Sequence, residues 1–506
     1  MRAVLYVGGF LYRIHRLSAF GRMRKLQQTV HTLEQHTSFE RIREAISAGK
    51  TTCADLVEHY LENIDKTKDL NAYLEVYADE ARETAKQVDK KIVAGTAGKL
   101  AGMVVSLKDV LCHKDHGLQG ASKILDGFES QFTGTAVQRL IDEDAVIIGR
   151  VNCDEFAMGS GNENSAFGPT RNPIDPERVP GGSSGASAAA VKADTCLVSI
   201  GSDTGGSVRQ PAAFCDVVGL KPTYSRISRY GLTAYASSFD TVGVLANSVE
   251  DASIVLEVMA GQDDYDSTVS RKPVPEYSKL LGFDKKVKVA YMKETLESEG
   301  LSDEIKEKTL AKIEALRKAG HTVEEVSFPW LDYLLPTYYI LTMAEASSNL
   351  SRFDGVRYGY RSPNTTDLES MYKKSRSEGF GEEVKRRIML GTFVLSASYY
   401  DAYYTKAQKV RRLIKDYTEK LLGEYDFVVL PTTPTTAFKI GSHAKSDPVT
   451  TFLEDLYTVQ ASVSGLPAIS VPNGHDQNGL PVGIQVMAGA FKEADMLAFA
   501  KYLSTL

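Results

Sequence analysis

A strand–helix–strand succession in the middle of the chain is the feature that most restricts its fold. The run KVKVAYM (286–292) has a strand pattern, DEIKEKTLAKIEALRKAG (303–320) has helical periodicity ending at Gly320, and HTVEEVSF (321–328) has a strand pattern again. A helix between two strands is typical of a crossover that packs on the face of a sheet. The sequence therefore predicts an α/β fold with a parallel or mixed sheet and helices on its faces.

Five further apolar runs have the length and composition of strands. They are GMVVSL (102–107), AVIIGR (145–150), FVVLPTTP (427–434), PAISVP (467–472) and VGIQVMAG (482–489). These runs extend the α/β pattern from the first part of the chain to its end.

The first 37 residues differ in composition from the rest. They carry six basic residues and one acidic residue, Glu34, whereas the whole chain has a formal net charge of -6. A basic leader with few acids is typical of an organelle targeting segment, and the alternative is an upstream start codon, with Met23 as the true start. Helical periodicity begins at SFERIREAISAG (38–49). We therefore assign residues 1–37 to the leader and residues 38–506 to the folded domain.

Composition excludes several classes of protein. The net charge of -6 argues against a protein that makes most of the phosphate contacts in a complex with nucleic acid. The five cysteines are scattered and never spaced as CxxC, so we expect neither a disulfide framework nor a zinc site, and a reducing compartment is favoured. No run of about 18 apolar residues is present, so no transmembrane helix is expected.

The chain becomes rich in Gly, Ser and Pro between Gly159 and Gly243. Apolar stretches interrupt this region, so we interpret it as a set of tight backbone turns inside a core. Two clusters stand out, VPGGSSGASAAAV (179–191) and GSDTGGSVRQPAAFC (201–215), and Lys108 closes a predicted strand upstream of them.

Ser207 in the second cluster is a candidate nucleophile, and a serine hydroxyl needs a base to react. The GxSxG elbow is absent around Ser207, and none of the nine histidines lies in a recognisable triad context, although distance along the sequence excludes none of them. A lysine can serve as the base when it is neutral, and full burial lowers a lysine pKa by up to about 3–5 units. Lys108, at the end of the apolar run VVSL, suits this requirement.

The glycines beside the serines have a physical purpose. Gly205 and Gly206 allow backbone N–H groups to converge on an oxyanion, where the loss of one donor costs on the order of 3 kcal/mol. Gly181 and Gly182 allow an unusual backbone before Ser183, either strained or with a cis peptide bond. The alternatives are an ordinary turn, a solvated lysine at the edge of a sheet, and a phosphate-binding loop. The patterns GxxxxGK[ST] and GxGxxG of phosphate-binding loops are absent.

Taken together, these motifs resemble those of the amidase signature family: Lys108 in SLKD, GGSSGAS (181–187) and GSDTGGSVRQPAAFC (201–215). The resemblance implies a mixed central β-sheet covered by helices on both faces. It also implies a Ser–cisSer–Lys triad, in which Ser207 is the nucleophile, Ser183 the bridging serine and Lys108 the base.

The same resemblance implies an oxyanion hole made by the backbone N–H groups of Thr204, Gly205, Gly206 and Ser207. It runs from about residue 38 to the C-terminus, so it assigns residues 38–506 to an amidase signature domain. No metal site is implied.

Three residues depart from the family pattern. Ala186 replaces a usual glycine in GGSSGGS, and Asp216 and Ser225 also stand where glycine is usual. We expect the Ala186 methyl group to crowd a turn. We expect Asp216 and Ser225 to cost stability if their positions require a positive φ.

Longer segments resemble one branch of the family, the glutaminase (A-type) subunits of tRNA-dependent amidotransferases, and the bacterial forms most. The segments include FAMGSGNENSAFGPTRNP (156–173), VGLKPTYSRISRYGL (218–232) and EASSNLSRFDGVRYG (345–359). This resemblance implies hydrolysis of glutamine through a γ-glutamyl ester on Ser207. The ammonia released would convert Glu-tRNA(Gln) to Gln-tRNA(Gln).

The branch also implies a heterotrimer. The B subunit would use ATP and Mg²⁺ and would bind the mischarged tRNA, and a small C subunit would hold the pair together, so no cofactor is implied in this chain. The resemblance implies a location in the bacterial cytoplasm, or in a mitochondrion if residues 1–37 are a transit segment. No membrane contact is expected.

Glutamine recognition requires a cation for its α-carboxylate and an anion for its α-ammonium group. By position in the family motifs, these residues are Arg387 in KRRIMLG and Asp455 in LEDLYT, and Tyr338 in PTYYIL is a further candidate for substrate contact. The alternative for the two charged residues is a solvent-facing position on a helix.

Two other functions remain open from the sequence. A stand-alone amidase acting on another amide would keep the triad but would leave Arg387 and Asp455 without a purpose. A catalytically silent scaffold subunit is disfavoured because Lys108, Ser183 and Ser207 are all intact.

Overall fold

The structure, a computed structural model, describes residues 38–442 and 454–506. The predicted leader, residues 1–37, lies outside the described residues, and the domain boundary that we drew at residue 38 stays a prediction. Of the helices within the described residues, none is long and apolar enough to cross a membrane. All five cysteines are buried as free thiols.

Eleven strands form one mixed sheet in the described residues. In chain order they are β1 (Tyr73–Val76), β2 (Val104–Lys108), β3 (Val146–Val151), β4 (Val198–Asp203), β5 (Val218–Lys221), β6 (Thr241–Ala246), β7 (Lys288–Met292), β8 (Thr322–Val326), β9 (Phe427–Pro431), β10 (Ala468–His475) and β11 (Pro481–Ala488). The spatial order is β1-β3-β2-β4-β6-β5-β10-β11-β9-β7-β8. All seven strands predicted from the sequence are therefore present.

Parallel and antiparallel pairs alternate along the sheet in blocks. The strand–helix–strand unit has the expected form, because β7 and β8 pair in parallel. The pairs β2–β3, β2–β4 and β7–β9 are also parallel, whereas the six strands in the middle from β4 to β9 pair antiparallel. The sheet is mixed, as predicted.

Helices connect these strands. They are α1 (Phe39–Ser47), α2 (Cys53–Lys66), α3 (Ala78–Ala94), α4 (Thr135–Asp142), α5 (Gly185–Lys192), α6 (Arg209–Phe214), α7 (Val249–Met259), α8 (Lys293–Leu296), α9 (Asp303–Lys318), α10 (Leu331–Asn349), α11 (Leu368–Gly379), α12 (Glu382–Val394), α13 (Lys406–Glu424), α14 (Val459–Ser464) and α15 (Glu493–Leu503), with a π-helical turn at Asp401–Thr405. One core cluster joins buried side chains from Phe39 to Leu503.

The first helices begin as local chemistry predicts. The Ser38 hydroxyl oxygen caps α1 by accepting from the Arg41 N–H group. Thr52 and Asp55 form a reciprocal capping box at the start of α2, where each side chain accepts from the other residue's N–H group at 3.0 Å.

The interpretation of the Gly/Ser-rich region as turns is only partly correct. This region also contains two helices, α5 and α6, two strands, β4 and β5, and the beginning of β6. The residues of α5 from Gly185 to Val191 are buried, and small side chains allow that helix to pack closely on β2 and β4. Because so many small residues give little hydrophobic periodicity, the sequence pattern did not distinguish helix from turn here.

The three departures from the family pattern lie in different backbone environments. Asp216 and Ser225 have φ values of 56° and 75°, a region that favours glycine, so the condition under which we expect them to cost stability is met. Asp216 forms an ion pair with Lys192 at 2.8 Å. Ala186 lies in the first turn of α5, where the helical backbone suits alanine, and the expectation that its methyl group causes crowding stays a prediction.

Candidate active site

Lys108 lies at the end of β2, between β3 and β4, and its side chain is completely buried. Its Nζ atom lies 2.6 Å from Ser183 Oγ, 3.0 Å from Ser184 Oγ and 3.0 Å from Ser202 Oγ. Burial lowers the pKa of Lys108 to about 8, since the charged ammonium is poorly solvated there. The predicted base is therefore in contact with the predicted bridging serine.

The surrounding hydroxyls fit a neutral amine. The Ser184 hydroxyl donates to the Ser202 carbonyl oxygen at 3.1 Å, so its oxygen is left to accept from Lys108. A neutral amine has two hydrogens and one lone pair, which matches three hydroxyl neighbours. The lone pair can accept the proton of Ser183, which is the closest of the three at 2.6 Å.

Ser183 lies in the loop before α5, after a cis peptide bond between Gly182 and Ser183. Gly181 has a φ of +85°, a conformation that side chains disfavour. A Cβ atom on Gly182 would overlap the Asp154 carboxylate, which lies directly against this peptide. These two glycines are therefore required by backbone conformation and by close approach.

Ser207 lies in the turn between β4, which ends at Asp203, and α6, which begins at Arg209. Its backbone carbonyl accepts from the Ser184 N–H group at 3.1 Å, which ties the two serine loops together. Ser207 is 9% exposed, whereas Ser183 and Lys108 are 0% exposed, so only Ser207 is open to a substrate. Within the described residues no hydrogen bond joins the hydroxyls of Ser183 and Ser207, a contact that can tighten when a substrate binds.

The backbone before the nucleophile presents free N–H groups. Those of Thr204, Gly205 and Ser207 meet no acceptor in residues 38–442 and 454–506, whereas Gly206 N–H donates to Asp203 Oδ1 at 2.9 Å. Three of the four predicted oxyanion donors are thus available, and Gly206 would have to share its hydrogen. The role of all four stays a prediction.

A buried ion pair holds this turn in place. Arg209 donates to both carboxylate oxygens of Asp203, at 2.9 and 3.0 Å, and both side chains are completely buried. The same carboxylate accepts from Gly206 N–H and Val208 N–H, on either side of Ser207. Burial acts to raise the pKa of Asp203, but Arg209 outweighs it, and the pKa lies below its usual value.

We expect the Arg209→Met variant to lose about 3–5 kcal/mol of unfolding free energy, because it leaves the Asp203 charge buried without its partner. The midpoint of chemical denaturation measures this loss. The double variant with Asp203→Asn should lose less than the sum of the two single losses, since the unpaired charge is then absent. A loss below about 1 kcal/mol for Arg209→Met would contradict the ion pair.

Arg387 lies on α12 and is 5% exposed, so it is not a solvent-facing charge. Its guanidinium donates to Glu383 at 2.8 Å and to the Tyr235 hydroxyl at 2.9 Å. The guanidinium carbon also lies 5.5 Å from the ring centre of Tyr339. The alternative of a surface charge is excluded for this residue.

Asp455 lies before α14 and is partly buried. It accepts from the Tyr339 hydroxyl at 2.5 Å and from Ser160 Oγ at 3.3 Å. Burial raises the pKa of Asp455 to about 6. Tyr339 therefore lies between the predicted carboxylate-binding arginine and the predicted ammonium-binding acid, Arg387 and Asp455.

Tyr338 and Thr458 connect these residues to the nucleophile turn. The Tyr338 hydroxyl lies so close to Gly205 that a Cβ atom there would overlap it. Thr458, three residues after Asp455, donates its hydroxyl hydrogen to the Gly205 carbonyl oxygen at 2.5 Å. The fold thus connects the segments that carry Tyr338 and Asp455 to Gly205, two residues before Ser207.

Sequence reasoning missed several residues of this site. Tyr235, Tyr339 and Ser160 contact the predicted substrate-binding residues, but a single tyrosine or serine gives no signal of its own. The adjacent pair in PTYYIL was the available signal for Tyr339. Among the described residues, no group of three metal-ligating side chains could hold a metal ion.

Comparison with known proteins identifies relatives over most of the chain. A family model described as Amidase matches residues 55–497. The A subunit of glutamyl-tRNA(Gln) amidotransferase from Chlorobium phaeobacteroides is 51% identical over 467 residues, which cover 92% of this chain and 98% of that protein. The protein of the same name from Chlorobium limicola is 51% identical over 93% of this chain and 99% of that protein.

Two solved structures extend the comparison. The crystal structure of the A subunit of glutamyl-tRNA(Gln) amidotransferase from Thermotoga maritima aligns with a TM-score of 0.72 and 39% identity, covering 88% of this chain and 90% of that one. Peptide amidase from Stenotrophomonas maltophilia aligns with a TM-score of 0.77 and 30% identity, covering 92% and 96%. The predicted α/β class and the resemblance are confirmed, and the chain belongs to the amidase signature family.

Proposed function

We propose that this chain is the glutaminase subunit of a tRNA-dependent amidotransferase. The observation that carries the proposal is the arrangement of Arg387 and Asp455 around Tyr339, next to Tyr338, which packs on Gly205 in the turn of Ser207. A buried arginine and a carboxylate near a nucleophile turn match the two charged groups of a free amino acid. The two Chlorobium relatives, each 51% identical to this chain, are named as such a subunit.

In the proposed reaction, the neutral Lys108 amine accepts the proton of Ser183, and Ser183 accepts the proton of Ser207. The Ser207 oxygen attacks the amide carbon of glutamine, and the N–H groups of Thr204 and Gly205 stabilise the oxyanion. The proton returns through Ser183 to the leaving nitrogen, the carbon–nitrogen bond breaks, and ammonia leaves. Water then attacks the γ-glutamyl ester by the same proton route and releases glutamate.

Substrate selection follows from charge. The Arg387 guanidinium binds the α-carboxylate of glutamine, and the Asp455 carboxylate binds its α-ammonium group. Tyr338, packed on Gly205, forms the wall between these groups and the reacting amide. The length of the glutamine side chain then places its amide at Ser207.

The ammonia serves a partner. The B subunit is expected to bind ATP and Mg²⁺ and the mischarged Glu-tRNA(Gln), and a small C subunit is expected to complete the heterotrimer. The net charge of -6 on this chain is consistent with tRNA held mainly by another protein of the complex. We place the complex in the bacterial cytoplasm, where aminoacyl-tRNA is used.

The test is ammonia release from glutamine by the Arg387→Met variant, with the partner subunits present. We expect the KM for glutamine to rise about 10- to 100-fold, since a charge-assisted hydrogen bond contributes about 1.5–3 kcal/mol. Hydrolysis of butanamide, which lacks both charged groups, should not change. The matched control is Arg386→Met on the same helix, because the Arg386 side chain is 46% exposed.

Two results would contradict this function. If the wild type cleaves butanamide but not glutamine, the chain is a stand-alone amidase. If it cleaves neither amide under any condition, the chain is a silent scaffold subunit. A rise in ammonia release on addition of the partners and charged tRNA would support the amidotransferase specifically.

A further inference from the structure

Gln210 lies on α6, three residues after Ser207, and is 1% exposed. Its side-chain Oε1 accepts from the Gly182 N–H group at 2.9 Å, and its Nε2 donates to the Ser160 carbonyl oxygen at 2.9 Å. Its backbone N–H group donates to the Gly206 carbonyl oxygen at 2.9 Å. One residue thus contacts the loop before Ser183, the loop of Ser160 and the nucleophile turn.

The loop before Ser183 packs directly on this amide. A Cβ atom on Gly181 would lie 2.8 Å from Pro211 Cα and 3.3 Å from Gln210 Oε1, so the loop has no room to approach α6 more closely. The hydrogen bond from Gly182 prevents it from moving away. Because the amide is buried, losing either partner would leave a polar group without compensation.

The Ser160 contact extends the same connection to the predicted substrate-binding residue Asp455. The Ser160 carbonyl oxygen accepts from Gln210 Nε2, and the Ser160 hydroxyl donates to Asp455 Oδ1 at 3.3 Å. The amide therefore lies between the loop of the bridging serine and the loop that touches the ammonium-binding acid. No motif or charge pattern in the sequence assigns such a task to this glutamine.

We propose that Gln210 is a positioning residue that sets the alignment of Ser183 with Ser207 through both hydrogen bonds of its buried amide. It touches neither substrate nor reacting atoms and acts through the backbone of Gly182 and Ser160. The proposal deepens the proposed function, on which the choice of glutamine as the assayed substrate rests.

The first experiment is Gln210→Met in the full chain with its partner subunits. Methionine keeps the approximate volume and removes both hydrogen bonds. We expect kcat for glutamine to fall about 10- to 100-fold, and KM to change less, because misalignment near the reacting atoms has an effect of this size.

The matched control is Gln460→Met. Gln460 is another buried glutamine, on α14, and its side chain donates to Thr418 Oγ1 at 3.2 Å. Its kcat should stay within about twofold of the wild type.

The second variant, Gln210→Glu, separates hydrogen bonding from packing. A neutral carboxylic acid can accept from Gly182 N–H and donate to the Ser160 carbonyl, as the amide does, whereas a carboxylate can only accept. The ratio of its kcat to that of the wild type should therefore be highest at low pH and fall as pH rises. For Gln210→Met the ratio should not depend on pH.

Three results would overturn the proposal: a kcat for Gln210→Met within twofold of the wild type, an equal loss in Gln460→Met, or a pH-independent ratio for Gln210→Glu. If Gln210→Met does not fold, the pH dependence of the kcat ratio for Gln210→Glu still tests the proposal. If the wild type cleaves butanamide but not glutamine, the proposed function fails on its own. The same comparisons with butanamide then test Gln210, because the alignment of the serines does not depend on the substrate.

Discussion

The Ser207→Ala variant is expected to release ammonia from glutamine at least about 10³-fold more slowly than the wild type. Neither neighbouring hydroxyl can replace the missing nucleophile, because Ser183 and Ser184 are completely buried and Ser207 alone is open to substrate. The measurement is ammonia release at saturating glutamine, with the partner subunits present. A covalent γ-glutamyl adduct should be detected by mass spectrometry on wild type and not on the variant.

The control for this variant is Ser187→Ala. Ser187 lies on α5 and is completely buried, and its hydroxyl meets no partner in the described part of the chain. We expect it to keep wild-type ammonia release. The melting temperature of Ser207→Ala should also match the wild type, because the Ser207 hydroxyl donates to no residue within 38–442 and 454–506. Retention of a substantial rate by Ser207→Ala would remove Ser207 from the role of nucleophile.

The Lys108→Met variant is expected to lose about 10²- to 10⁴-fold in kcat, the usual contribution of a positioned general base. Lys221→Met is the matched control. Lys221 is also buried, its pKa is lowered by burial to about 7, and its Nζ donates to the Pro222 carbonyl at 3.0 Å. Both variants remove a buried lysine, but only Lys108 contacts Ser183. Equal loss of kcat in the two would show that burial, and not proton transfer, explains the effect.

The pH dependence of the wild type follows from the same lysine. Lys108 can accept a proton only when neutral, and its pKa is lowered by burial to about 8. Activity should therefore be constant above about pH 8 and fall roughly tenfold per pH unit well below it. A pH profile of glutamine hydrolysis measures this directly. A rate that rises as pH falls from 8 to 6 would contradict a lysine base.

Much of the fold could be predicted because its signals are local. Seven of the strands and the caps of α1 and α2 depend on residues within one element or its ends, and the sequence pattern contains all of them. The prediction failed in the Gly/Ser-rich region, where α5 and α6 are built from small residues. Those helices are stabilised by close packing on the sheet. Packing between distant segments produces no pattern in the local sequence.

The residues of the candidate site also form two groups: those in local motifs, and those that only the packing of distant segments brings together. Lys108, Ser183 and Ser207 lie in motifs that can be found in the sequence, and so do the glycines that permit their backbone. Asp455 and Ser160 are 295 residues apart, and Arg387 and Tyr235 are 152 residues apart, yet each pair is in contact. Their pairing depends on how distant strands and helices pack.

The sequence by itself determined which groups can react, the α/β class and the need for glycine at the turns, since these depend on residue type and near neighbours. Only the tertiary structure decided that Arg387 is buried, that Tyr339 lies between it and Asp455, and that Gln210 joins two loops. The physical reason is that burial, which shifts the pKa of Lys108 and Asp455 and orients a buried amide, is a property of the packed interior and not of any single segment.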